Sequence, residues 1–244
     1  MDKIIDFKTN NTIEITEDCN LFFTIDDSIK YTYSIKDCNC NMFVIVDVNN
    51  LSNIEENVSI SNANVNIYYV ELNNIDINMK SNISLYRNSN LKINTILIAS
   101  DTKNIEFNIS NVEDHSNCEI YNNVVGLDKA IFSLNVIGNI LKKSPYSKCI
   151  QKTHCLSIGK PEKLKVLPIL NIDNENVIAA HSLSSGTIDS KIMYYINSRG
   201  LDRNEAIKLV LKSYLSLPED VTDRFKYANI SDIFNRKVDA LCLM

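Results

Sequence analysis

The residues in this chain best able to hold a metal or act as nucleophiles are three histidines and seven cysteines. His181 lies in "NVIAAHSLSSGTIDSKIMYYINSRG" (176–200), in a turn joining a β-like run to a helical pattern. An imidazole there could ligate a metal, or it could simply help the chain change direction. His154 and Cys155, in "QKTHCLSIG", occupy successive strand positions and face opposite sides, so at most one meets a given partner without a bulge. His115 and Cys118, in "EDHSNC", carry no further pattern and read as ordinary side chains. No Gly-x-x-x-x-Gly-Lys-Ser/Thr loop is present, so the chain is expected to bind no nucleotide itself.

Bulk properties narrow the setting. With 244 residues and 45% hydrophobic composition the chain can bury a large core. A net charge of −5 gives no broad attraction to nucleic acid or anionic lipid, and neither is expected as a partner. The segment "MDKIIDFKTN" lacks a basic region followed by a long apolar core, and no window approaches the roughly 20 apolar residues of a membrane span, so a cytoplasmic protein is expected. An odd number of cysteines scattered through a chain of this size reads as free thiols.

The elements that must position these residues are mostly strands. From about residue 12 to residue 140, apolar residues alternate in short runs such as Val65/Ile67/Tyr69 and Ile105/Phe107/Ile109, recurring every eight to ten residues or so. That spacing suits an antiparallel sandwich or a β-helix. With few glycines and prolines, asparagine is expected to turn the corners, since it tolerates the left-handed backbone region, and stacked coils would let asparagines form side-chain ladders; a general compositional bias toward Asn, Ile and Lys is the alternative reading. After Asp189 the period becomes helical. Ile192, Tyr195 and Ile196 share a face, Asp189 or Ser190 caps, and Gly200 ends the helix. Asp202 and Glu205 form a capping box ahead of a stripe of Ile207, Val210, Leu211, Tyr214 and Leu215, and Pro218 stops it. The remainder reads as further helix, burying Ile233, Phe234, Val238 and Leu241.

Residues 165–215 resemble the C-terminal signature of the SufB/SufD family, scaffold proteins of SUF iron–sulfur cluster assembly. The matching positions are Pro168, Glu175-Asn176-Val177, Ala180-His181, Gly186, Ile188-Asp189, Tyr194-Tyr195-Ile196, Ser198-Arg199-Gly200 and Glu205-Ala206. Upstream, Gln151 and Leu156-Ser157 are similar to a family strand. The resemblance implies a β-helix core over 1–186 and a small C-terminal helical domain over 187–244. Set beside the longer members, the chain is expected to lack their N-terminal helical region and so resembles a minimal member.

It also implies a scaffold rather than an enzyme. Such proteins pair through their β-helix cores, as a homodimer or with a SufB-like paralogue, and a cluster assembles transiently at that interface. A SufC-like ABC ATPase docks on the C-terminal helices, which makes Tyr194, Tyr195, Arg199, Gly200, Leu201, Glu205 and Leu209 the expected partner contacts. His181 matches the family histidine and is the expected cluster ligand, with Cys155 and Glu175 as further candidates. Two positions depart from the SufB pattern towards SufD: Lys152 stands where SufB has a cysteine, and Ser182 where it has a glutamate. The competing readings are a solenoid acting on or binding polysaccharide, with acidic residues such as Asp26, Asp47 and Asp101 but no tryptophan, and a structural partner that ligates nothing.

Overall fold

A computed structural model describes residues 2–5 and 11–241; Cys242 lies outside them, and so does the side chain of Leu241. Alternation places every second side chain on one face, and each alternating run here forms a strand. The first five are β1 (Asp2–Ile4), β2 (Thr12–Ile15), β3 (Cys19–Ile25), β4 (Ile29–Lys36) and β5 (Asn39–Val46). Next come β6 (Ser52–Ser61), β7 (Asn64–Glu71), β8 (Ile77–Leu85), β9 (Asn90–Ala99) and β10 (Thr102–Asn111). The series continues through β11 (Asn117–Gly126), β12 (Ile131–Ile140), β13 (Lys148–Ser157), β14 (Lys163–Ile172) and β15 (Ile178–Thr187). Odd-numbered strands build one sheet and even-numbered strands the other, each in chain order with parallel neighbours. The chain is therefore a parallel β-helix with two strands per coil, not an antiparallel sandwich. Coils lengthen from 25 residues at Asn39↔Asn64 to 31 at Asn117↔Lys148, which hides the repeat from inspection of the sequence.

Parallel pairing in register stacks like on like. Inside, aliphatic and aromatic files such as Leu21/Met42/Ile67/Ile93/Ile120 fill the lumen. Outside, Asn117 donates to Asn90 (2.8 Å), Asn90 to Asn64 (2.8 Å) and Asn64 to Asn39 (2.9 Å), and Asn39 donates to the Asp18 carboxylate. A second ladder runs Asn66, Asn41, Asn20 and ends on Asp2. Every amide in these ladders donates towards the earlier coil, and an aspartate accepts the final bond. Left-handed corners form one stack, Asp37, Asn62, Asn88, His115 and Tyr146, each with φ between 49° and 59°; asparagine fills two of these five, so the expected asparagine corners are present only in part.

Two polar clusters sit in the apolar interior. The Glu56 carboxylate accepts from Tyr33 (2.8 Å), Tyr31 (3.2 Å), Tyr69 (2.6 Å) and Ser81. Burial pushes its carboxyl above the usual range, and the four hydroxyl donors pull it part of the way back. Lys103 is fully buried and its ammonium contacts Glu71 (2.7 Å), the Ile98 carbonyl (2.7 Å) and the Asn73 carbonyl. All three of its protons have acceptors, which is what makes a buried ammonium tolerable.

The helical segment comprises α1 (Ser190–Ser198), α2 (Arg203–Tyr214), α3 (Glu219–Arg224), a 3-10 turn (Lys226–Ala228) and α4 (Ile230–Leu241). Asp189 caps α1 by accepting from the Lys191 N–H, Gly200 follows with φ +97°, and the Asp202/Glu205 capping box opens α2. The helices lie on the outer face of the odd-numbered sheet, where Phe43, Ile45, Val70, Ile96 and Ile98 meet Leu211, Val221, Phe225, Phe234 and Val238. Double-sided burial explains why "MFVIV" in β5 breaks the alternation. Tyr227 donates to the Asn20 carbonyl (2.8 Å), Arg224 to Asn41 (2.9 Å) and Lys237 to Asp47 (2.6 Å), fixing α3 and α4 on the early coils. Among the described residues no helix is long and apolar enough to cross a membrane.

Lys103→Met should leave the buried Glu71 without its counter-charge, held only by the Asn73 N–H and side-chain amide, and cost about 3–5 kcal/mol in denaturant unfolding. The double variant Lys103→Met/Glu71→Leu should recover most of that loss; equal losses in both would contradict the pairing. Because the folded-state pKa of Glu56 is raised, this group stabilises the fold most when protonated, and its contribution is lost as pH rises through the folded value. Paired urea melts should show the stability of Glu56→Gln relative to wild type improving from about pH 4 to about pH 7, and a difference that does not change with pH would argue otherwise.

Candidate functional site

Stacked coils leave unpaired edges where the stack stops, and here β14 and β15 are the terminal strands of their sheets. Inward residues of β14 are only half-buried and β15 is almost wholly exposed, Ile178 and Leu183 included. In parallel pairing, the N–H and C=O of one residue point to the same neighbour. The Ile178 N–H bonds to the Ser147 carbonyl, so the N–H groups of Ala179, His181, Leu183 and Ser185 point away from β13 to the free edge. The end of the β-helix thus sets the half-buried apolar file of β14 beside Ala179, His181, Leu183 and Ser185 of β15, bordered by backbone groups with no strand partner among the described residues.

His181 lies within β15, not in a turn, because the strand runs without a break from Ile178 to Thr187. It continues the inward file Ile93, Ile120, Gln151, yet it is exposed, since no further coil covers it among the described residues. Beneath it, Gln151 is buried; its amide donates to the Ile169 carbonyl (3.1 Å) while its side-chain oxygen has no partner. Next to Gln151 along β13, Thr95, Asn122 and Thr153 form a further hydrogen-bonded thread inside the lumen. Cys118 and Cys149 face each other in register, both buried.

Gly138 makes this arrangement possible. A Cβ there would stand 2.5 Å from the Cys149 sulfur and 2.9 Å from the Gln151 amide nitrogen. The sequence reading passed over it, although an isolated glycine within "IFSLNVIGNI" is the mark of a close approach.

The three candidate ligands are not brought together in one chain. Cys155 pairs in register with Ser185, four residues beyond His181, which separates the two by about 13 Å along the strand. Its thiol is buried, and burial pushes it up to about 11. Glu175 is exposed in the turn entering β15, where the Asn176 carbonyl accepts from Tyr146 and the Asn174 side chain accepts from the Asn176 N–H. Among the described residues no three His, Cys, Asp or Glu side chains converge as a metal site. Lys152 and Ser182 pair on the outer face, where the Lys152 ammonium lies over the Tyr121 ring at 5.4 Å. His154 also faces outwards, within 2.6 Å of the Ser184 hydroxyl, opposite to Cys155.

The expected partner residues cluster on α1 and the start of α2. Tyr194 is 77% exposed and Tyr195 59%, and the Arg199 guanidinium lies over the Tyr195 ring at 5.1 Å. Ile192, Leu201 and Leu209 are exposed as well, whereas Glu205 is occupied by the capping box. Only Ile196 of α1 is buried, so its apolar face is largely open to solvent. Beside α1 a cavity of about 320 Å³ is lined by residues including Ile158, Lys160, Ile188, Met193, Arg203 and Ile207.

Residues 43–214 match the family described as SUF system FeS cluster assembly, SufBD core domain. A shorter stretch of 89 residues is 33% identical to the iron-sulfur cluster assembly protein SufD of Bacillus subtilis (strain 168). That stretch is 36% of this chain and 20% of that protein, so the match spans a fifth of the relative's length. The family match takes in β6 to β15 together with α1 and α2, so both the free edges and the exposed helix face lie within it. On its sequence and its two-strand coils, the chain belongs to the SufBD family of iron–sulfur cluster assembly proteins.

Proposed function

We propose that this chain is a scaffold subunit of a cytoplasmic iron–sulfur cluster assembly complex, without catalytic activity of its own. The observation that carries the proposal is the exposed end of the β-helix, where His181 stands on the inward file between unpaired strand edges. A second chain of the same fold closes that end by pairing with β14 and β15. The cluster is cargo built between the two ends. Iron bound to sulfide favours thiolate, and accepts imidazole or carboxylate at labile positions. His181 supplies one exchangeable ligand from this chain, flanked by Glu175, and the facing chain supplies the rest. Cys155 is a protonated thiol at neutral pH and joins only if β15 moves aside.

The α1–α2 face is the docking surface for a SufC-like ABC ATPase. Its exposed tyrosines and Arg199 are the residue types that dominate protein interfaces. Truncation at Asp189 is a poor test, because it would strip the cover from Phe43, Ile45 and Val70. The point variants Tyr194→Ala and Arg199→Glu alter exposed side chains, and they should abolish co-purification with such an ATPase while leaving the melting temperature unchanged. Retention of the ATPase by both would remove this face from the account.

Anaerobic reconstitution of the assembled complex with iron and sulfide should give less than half the wild-type cluster absorbance for His181→Ala and near wild-type absorbance for Cys155→Ala. Equal cluster content in wild type and His181→Ala would take His181 off the ligand set. Because Cys155 is held as a thiol, its alkylation in the native chain should be slow near pH 7 and accelerate as pH rises towards about 11. Rapid labelling at neutral pH would show that it is accessible as thiolate.

A further inference from the structure

We infer that the exposed end of this β-helix is built to meet a chain whose facing surface is acidic, and not a second copy of itself. The inference rests on the proposal that the β14 and β15 edges form a subunit interface. Residues 1–126 carry eight Lys and Arg against eighteen Asp and Glu. Residues 127–187 carry eight Lys against four acids, in a chain whose net charge is −5. Coils stack in chain order, so this asymmetry along the sequence becomes a charge gradient along the axis.

The lysines encircle the final coils. Lys148 and Lys152 project from the outer face of the odd-numbered sheet, and Lys163 and Lys165 from the outer face of the even-numbered one. Lys142 and Lys143 occupy the turn between β12 and β13. Lys129 and Lys160 hold successive turns at the other corner, where the Lys129 N–H bonds to the Lys160 carbonyl (3.1 Å). Seven of the eight are exposed; Lys148, half-buried, is the one that forms an ion pair among the described residues, with Glu119. The four acids in this stretch are Asp128, Glu162, Asp173 and Glu175, and Asp128 already accepts from the Lys160 N–H.

Two copies meeting end to end would bring collar against collar. Lys163 and Lys165, on the terminal strand β14, would face their counterparts most closely, with the β13 lysines one strand further back; screening of this repulsion weakens at low salt, where it would oppose pairing. An acidic end face would be drawn in and held by the same lysines.

Sedimentation of the full chain at about 50 mM and about 500 mM NaCl tests this directly. The wild type should be monomeric at the lower salt and associate more as salt rises. The variant Lys142→Glu/Lys152→Glu/Lys163→Glu/Lys165→Glu serves as an acidic probe partner. Mixed with wild type, it should form a heterodimer bound roughly tenfold more tightly at the lower salt. Wild-type self-association that is as strong or stronger at low salt, head-to-tail stacking included, overturns the inference, and so does a folded probe that fails to bind. Leu183→Pro removes an edge N–H that β13 does not use; if the mixed dimer survives it, the edge interface itself is wrong. The wild-type salt series requires no variant, so misfolding of the probe cannot leave the question open.

Discussion

In-register parallel stacking is the constraint on which the rest of the structure depends. Once each strand sits above the strand two before it, every residue inherits the surroundings of its predecessor in the file. Apolar files fill the lumen, amide files bind one another outside, and a charged residue in an inward file must find partners in the interior. Lys103 does so through Glu71 and two carbonyls, and Glu56 through four hydroxyls. The same rule makes the end of the stack exceptional. His181 and Leu183 inherit positions that are buried in earlier coils, but among the described residues no further coil lies above them.

The helices answer the same constraint on the outer face. Where Phe22, Phe43 and Tyr68 stack in register, the file is aromatic rather than polar, and α3 and α4 cover it. Further along that file stand Asn94, Tyr121 and Lys152, and the surface returns to solvent. Anchoring is concentrated on α3, the 3-10 turn and α4 through Arg224, Tyr227 and Lys237, while α1 holds by Ile196 and leaves its tyrosines exposed. The molecule therefore offers two unfinished surfaces close to one another in the chain: the β15 edge and the α1 face. Both lie in the part matched by the SufBD family.

Much of this was legible in the residues, for identifiable reasons. Period-two alternation survives in any half-buried strand, so the strands were readable, and the asparagine content corresponds to the ladders, while the left-handed corners are shared with Asp37, His115, Lys129 and Tyr146. The capping box at Asp202 and Glu205 is local chemistry and was equally plain. Sandwich and solenoid could not be told apart by period, because the turns grow from coil to coil and blur the repeat. His181 reads as a turn residue in the sequence because "AAHSLSSGT" has little alternation: an uncovered strand has no buried side to mark. The separation of Cys155 from His181 was invisible for a different reason. It depends on the register between β13 and β15, which only the fold supplies.

The central claim is that the free edges of β14 and β15 are closed by another subunit. Hydrogen exchange read residue by residue, on the chain alone and on the purified assembly, addresses it most directly. The amides of Ala179, His181, Leu183 and Ser185 should exchange fast in the isolated chain and become protected by at least about tenfold on assembly, while the intervening amides bonded to β13 change little. Unchanged exchange at those four amides, with protection confined to other surfaces, would contradict the account.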